Sequence, residues 1–157
     1  MKKNLQLLCM KFVRLDTMND LTFEMQIISI FRLITALFLG VVVGYERKNR
    51  HKEAGVRTHA IVAIGSCLMM LISKYGFMGA GDFDESRIAA QIISSVGFLG
   101  AGIIMIKDDA ISGLTTAAGI WVISGIGMAI GAGLYVIGVG TTILMLLIQM
   151  ITHISYT

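Results

Sequence analysis

Long apolar runs broken by short polar segments recur along most of this chain. The first runs from Glu24 to Tyr45, the second from about Val56 to Tyr75 and the third from about Ile88 to Ile106. The fourth covers about Leu114 to Ile130 and the fifth about Leu134 to Ile151. A helix crossing a bilayer needs roughly 20 predominantly apolar residues. The pattern therefore predicts an all-α, polytopic transmembrane helix bundle of about five spans. Only Gly131 to Gly133 separate the last two runs, which predicts a tight helical hairpin there. Ahead of the first run, Leu5, Leu8, Phe12 and Leu15 fall at helical spacing with Lys11 and Arg14 on other faces. That suits either a short interfacial helix or a loose tail over 1–22, and Met18 is a second candidate start. The expected organisation is one transmembrane domain over 23–152, with a short tail over 153–157.

Composition agrees with the pattern. The 157 residues are 55% hydrophobic, with 18 glycines, 11 methionines and no proline, and the mean hydropathy is +0.79. There is too little polar surface to coat a soluble globule, and no room for a separate soluble domain. The net charge of +3 reads as loop topology in such a chain, not as nucleic-acid binding. Cys9 and Cys67 are far apart, with no spacing that implies a disulfide or a zinc site; Cys67 reads as a small packing residue within a span. Lys2 and Lys3 begin the chain as a signal peptide would. Lys11 and Arg14 then interrupt the apolar region and no cleavage site follows, so an uncleaved N-terminus is expected.

Charge concentrates in Gly44 to His59, GYERKNRHKEAGVRTH, which holds five of the thirteen Lys and Arg residues, two acids and two of the three histidines. One Arg or Lys at the centre of a spanning helix costs about 2.5 to 3.5 kcal/mol, so this stretch must lie at a membrane face. With that loop cytoplasmic, the inner side holds six Lys and Arg residues, counting Lys107. The outer side holds Lys74 and Arg87, and Lys2, Lys3, Lys11 and Arg14 bring it level at six. Short loops beside spans weigh most. The expected orientation is N-terminus outside and C-terminus cytoplasmic.

In this arrangement four helices bring polar or small groups to the inner face. Glu46 and Arg47 end the first span, Arg57, Thr58 and His59 begin the second, Gly100 and Gly102 close the third, and Thr115 and Thr116 open the fourth. Ionisable groups at this depth usually face a bundle interior and pair, which suggests Glu46 with Arg57. Lys48, Arg50 and Lys52 read equally as topology anchors, and Arg32 can snorkel from the first span. Ala36, Gly40 and Gly44 form a smooth stripe for close helix packing, as do Gly127 and Gly131. These stripes also leave open a structural oligomer with one of them as its seam. Asp82, Asp84 and Glu85 read as a solvated turn in preference to a magnesium site. No phosphate-binding loop, zinc-protease motif, nucleophile elbow or intramembrane carboxylate pair is present. No catalysis, metal or cofactor is expected. The span middles are nearly free of ionisable groups, which argues against a simple secondary transporter.

The ordered blocks GYERKNR, AGVRTH, RIAAQI, GFLGAG and GLTTAAGIWVISGIGMAIGAGLY resemble the membrane domain of the MgtC/SapB family, over about Arg32 to Gly140. The resemblance implies a multi-pass bacterial inner-membrane protein. It also implies a role in growth under magnesium limitation, in virulence through survival within macrophages, and in control of membrane energetics that includes inhibition of the F-type ATP synthase. The better-known members are not themselves magnesium transporters. The motifs match at Glu46, Arg47, Arg57, Thr58, His59, Gly100, Gly102, Thr115 and Thr116, and also at Arg87, Gln91 and Trp121. Longer members continue into a cytoplasmic ACT-like domain, whereas this sequence stops at Thr157, so only the membrane domain is expected. The expected function is non-enzymatic: adaptation to magnesium limitation by modulating another membrane complex within the lipid bilayer. Transport of an ion or small solute is the alternative.

Overall fold

The computed structural model describes residues 23–77, 84, 86–107 and 110–154. Within them the chain forms α1 (Phe23–Asn49), α2 (Val56–Tyr75), α3 (Ser86–Ala101), α4 (Leu114–Ala132) and α5 (Tyr135–Ile154). Between α3 and α4 lies an antiparallel ribbon of β1 (Met105–Lys107) and β2 (Ala110–Ser112), in register at Ile106 and Ile111. The N-terminal segment before Phe23, with its expected amphipathic pattern, lies outside the described residues, as do Asp82, Glu85, Asp108 and Asp109.

Three helices, α1, α2 and α4, are each long and apolar enough to cross a membrane. α5 is apolar through Ile151. α3 is the short one: its 16 residues rise about 24 Å. The sequence pattern carried this span to Ile106, but the helix stops at Ala101. The Gly102, Ile103 and Ile104 amides fold back onto the carbonyls of Phe98, Gly100 and Ala101 at 3.1, 3.1 and 3.2 Å, and the chain then enters the ribbon. Apolar composition alone does not separate those strand residues from the helix before them.

Helix ends follow local chemistry. α1 has Glu24 in its first turn and Arg47 and Lys48 in its last, each sign matching the helix dipole. α4 ends at Gly133 with φ 92°, a left-handed conformation that glycine adopts without a Cβ penalty. The Gly133 amide bonds to Ile130 O at 3.0 Å and the Leu134 amide to Ala129 O at 2.8 Å, the paired bonds of a Schellman motif. This turn makes the α4–α5 hairpin read from the sequence.

α4 is the centre of the bundle. Its Ile120, Ile123, Ile126 and Ile130 are buried to 1% exposure or less, α1 packs on α2, α2 packs on α4, and α3 and α5 flank α4. Lipid tails are as apolar as any core, so close van der Waals fit and polar contacts must hold the helices. Gly40 is one such fit: a Cβ there would lie 2.8 Å from Ala60 Cα and from His59 O. On the other side of α2, a Cβ at Gly127 would collide with Ala63 O, and one at Gly131 would sit 2.7 Å from Cys67 O. Ala36 and Gly44 are likewise buried against neighbouring helices. Both stripes are filled from within one chain, so neither is free to form the intermolecular seam left open above. Ser66 and Ser124 add a buried hydrogen bond of 2.8 Å between α2 and α4.

Candidate functional site: the polar loop end

The loop between α1 and α2 closes one end of the bundle. α2 and α4 run in the same direction and α1 runs against them, so the last turn of α1, the first turns of α2 and the N-terminus of α4 meet there. Arg47 is buried to 2% exposure, which is costly for a guanidinium unless it is paired. Its Nε meets one oxygen of Glu46, and Arg50 Nε meets the other. Glu46 is thus held between Arg47 and Arg50, not paired with Arg57 as expected. The physical reason is reach: Arg50 follows Glu46 by four residues, in the turn just past the end of α1, whereas Arg57 is exposed at the start of α2.

A second tie crosses from the loop to α4. Thr116, buried to 2% exposure, donates its hydroxyl to Glu53 Oε2 at 2.7 Å. That bond holds the Glu53 carboxyl below the usual carboxylate range, helped by a backbone hydrogen bond and by Lys52 and opposed by slight burial. Ala54, next to Glu53, is buried, so the loop is pinned to the bundle. Below it His59 is fully buried, with Nδ1 2.9 Å from Gly55 O.

The expected cluster therefore divides. Glu46, Arg47, His59 and Thr116 come together beneath the loop, while Arg57, Thr58, Thr115 and Gly102 form an exposed rim. Gly100 faces α4, where a Cβ would rest 3.6 Å from Ala117 Cβ. Arg87, Gln91 and Trp121 are exposed along α3 and α4, apart from the cluster. Sequence reasoning missed Glu53, although an acid inside a basic loop was a signal, and did not pair Arg50 with Glu46. It also missed Gln149, one amide in an otherwise apolar run, which is buried on α5. Among the described residues no three His, Cys, Asp or Glu side chains group as a metal site would require. Asp84 bonds instead to the Ser86 amide at 2.9 Å and hydroxyl at 2.6 Å, and those bonds hold its carboxyl below the usual range.

The opposite end carries a second polar cluster. Arg32 Nη1 donates to Tyr75 Oη at 3.0 Å and to Gly131 O at 2.8 Å, and Lys74 Nζ donates to Ala132 O at 3.3 Å. Two cations thus sit at the C-terminus of α4, where unpaired carbonyls and the dipole favour positive charge. Both also lie over the Tyr75 ring, at 5.8 and 5.4 Å from its centroid. Arg32 ties α1, α2 and α4 together and does not simply reach for the interface.

Comparison with known proteins bears on what this architecture belongs to. The family model described as MgtC family matches residues 33–155. The chain is 46% identical over 129 residues to an Escherichia coli K12 protein named "Putative magnesium transporter YhiD", covering 79% of this chain and 60% of that one. It is 42% identical over 117 residues to Protein MgtC of Salmonella typhimurium, covering 74% and 49%. Protein MgtC of Brucella abortus is 43% identical over 102 residues, covering 65% and 42%. The chain thus spans about half the length of the curated relatives it matches. No solved structure matches it. The family match begins partway along α1 and takes in the rest of that helix, the other four helices, the polar loop end and the α4 seam on which the bundle is built: the chain is a membrane protein of the MgtC family.

Proposed function

We propose that this protein acts in bacterial adaptation to magnesium limitation, as a non-enzymatic component of the inner membrane that modulates another membrane complex. The loop end is its working surface and lies on the cytoplasmic side. One observation carries this reading: the ties Glu46–Arg47, Glu46–Arg50 and Thr116–Glu53 hold a rim of exposed polar groups, among them Arg57, Thr58 and Thr115, in a fixed arrangement. A surface that only anchored topology would not need its loop tied across to α4. Family membership and the magnesium-related names of relatives support the physiological setting. The rim's charge suits an acidic face on a partner complex, and the F-type ATP synthase is the candidate to test first.

The test is growth of a deletion strain at low magnesium. Arg57→Ala and Thr115→Ala variants should insert normally and fail to restore growth; full restoration by both overturns the reading. The name of the Escherichia coli relative favours a second reading, transport of magnesium or another small solute. Ion flux into liposomes containing only the purified protein would support transport, and its absence would support modulation.

A further inference from the structure

His59 carries a buried atom that the modulating surface does not use. Its Nδ1 lies 2.9 Å from Gly55 O, and a carbonyl can only accept, so Nδ1 bears the proton. In the neutral ring Nε2 then presents a bare lone pair that only a donor can satisfy. This atom is fully buried and has no hydrogen-bond partner among the described residues.

The surroundings of this atom are largely apolar or already engaged. Opposite the ring stands Gly119, which has no side chain. A Cβ built on it would lie 3.9 Å from His59 Nε2, 3.6 Å from Gln149 Nε2 and 3.2 Å from Met145 Cε. Side chains from α2 and α5 thus converge on a single point beside α4. Met145 has no donor to offer, and the Thr116 hydroxyl, one turn before Gly119, is spent on Glu53. The charged groups facing the ring from α1 are Arg47 and Glu46, already paired with each other; α4 and α5 face it with Gly119, Met145 and Gln149, which do not titrate.

We propose that His59, Gly119 and Gln149 form a binding site for one internal water, which donates to His59 Nε2 and accepts from the Gln149 amide. A buried polar site with two such partners is the kind of place that holds an ordered water. The missing side chain at Gly119 is what leaves room for it. The site extends the polar loop end inward, past Thr116, to the buried Met145 and Gln149 of α5.

The experiment is proton-detected solid-state NMR on histidine-labelled protein in lipid bilayers, with the His59 signals assigned by their loss in His59→Gln. Short mixing should transfer magnetisation from water to His59, and Nε2 should resonate as a hydrogen-bonded acceptor. Gly119→Ser places a hydroxyl where the water would sit: the Nε2 shift should remain that of an acceptor while the water transfer falls at least several-fold. Gly119→Ala should abolish the transfer without supplying a donor. Absence of water transfer in the parent protein overturns the site, as does direct donation from Gln149 to Nε2. Undiminished transfer in the folded Gly119→Ser protein overturns the placement at Gly119.

Discussion

At the residue scale, Thr116 and Glu53 carry the loop. Thr116→Val keeps the shape of the side chain and removes only the hydroxyl. The loss of a hydrogen bond to a carboxylate, discounted because Glu53 is largely exposed, should cost about 1 kcal/mol, and it should appear as faster hydrogen exchange in residues 50–55. The same contact sets a pH dependence. The Glu53 carboxyl is held below its ordinary value in the folded protein, so its contribution is fully present above the ordinary carboxylate range and is lost as pH falls through the lowered folded value. Exchange protection of the loop should therefore hold from neutral pH down to about 5 and decline below it. In Thr116→Val this acid step should shrink; an unchanged step would show that the tie does not hold the loop. None of this could be read from sequence, because Glu53 and Thr116 are 63 positions apart and nothing local to either announces the pairing.

At the scale of elements, the glycines of α4 separate two roles that look alike in sequence. Gly127 lies under the Ala63 carbonyl of α2, whereas a Cβ at Gly125 would have nothing within 4 Å. Gly127→Ala must therefore push α2 and α4 apart, at the roughly 1 to 3 kcal/mol typical of an overpacked contact. Gly125→Ala should leave thermal stability in detergent unchanged or slightly raised, since alanine is the better helix former. Equal effects of the two substitutions would contradict the packing described. Small-residue spacing drew notice to Gly40, Gly127 and Gly131 because a period of about four residues places such groups on one helix face, and a Cβ at each would press on the backbone of α2. It did not say which neighbour each meets, and it left the seam open to a second molecule. The end of α3 was misjudged for a related reason: Ile103 to Ile106 are apolar in either conformation, and the fold back after Ala101 depends on backbone bonds that hydropathy does not register.

At the scale of the whole molecule, the bundle has two polar ends built on opposite principles. The loop end holds Glu46 with two arginines and Glu53 with the Thr116 hydroxyl, and presents a basic rim. The other end turns Arg32 and Lys74 inward onto the carbonyls that close α4, so those two cations are spent on the fold. The five helices were legible from the repeat of apolar runs. The cation cluster at the far end was not, because its acceptors are backbone carbonyls, which no side-chain pattern reveals. The distinction bears on orientation. With Arg32 and Lys74 engaged, the exposed basic charge among the described residues belongs mainly to the loop end, and on the positive-inside rule we propose that this end is cytoplasmic. A background with Cys9 and Cys67 replaced by alanine makes this measurable with single cysteines. His51→Cys, exposed in the loop, should resist a membrane-impermeant maleimide in intact cells and react once they are opened. Asp84→Cys, exposed at the far end before α3, should react in intact cells. The reverse pattern would invert the protein in the membrane and move the proposed working surface to the outside, where no cytoplasmic face of a partner complex could reach it.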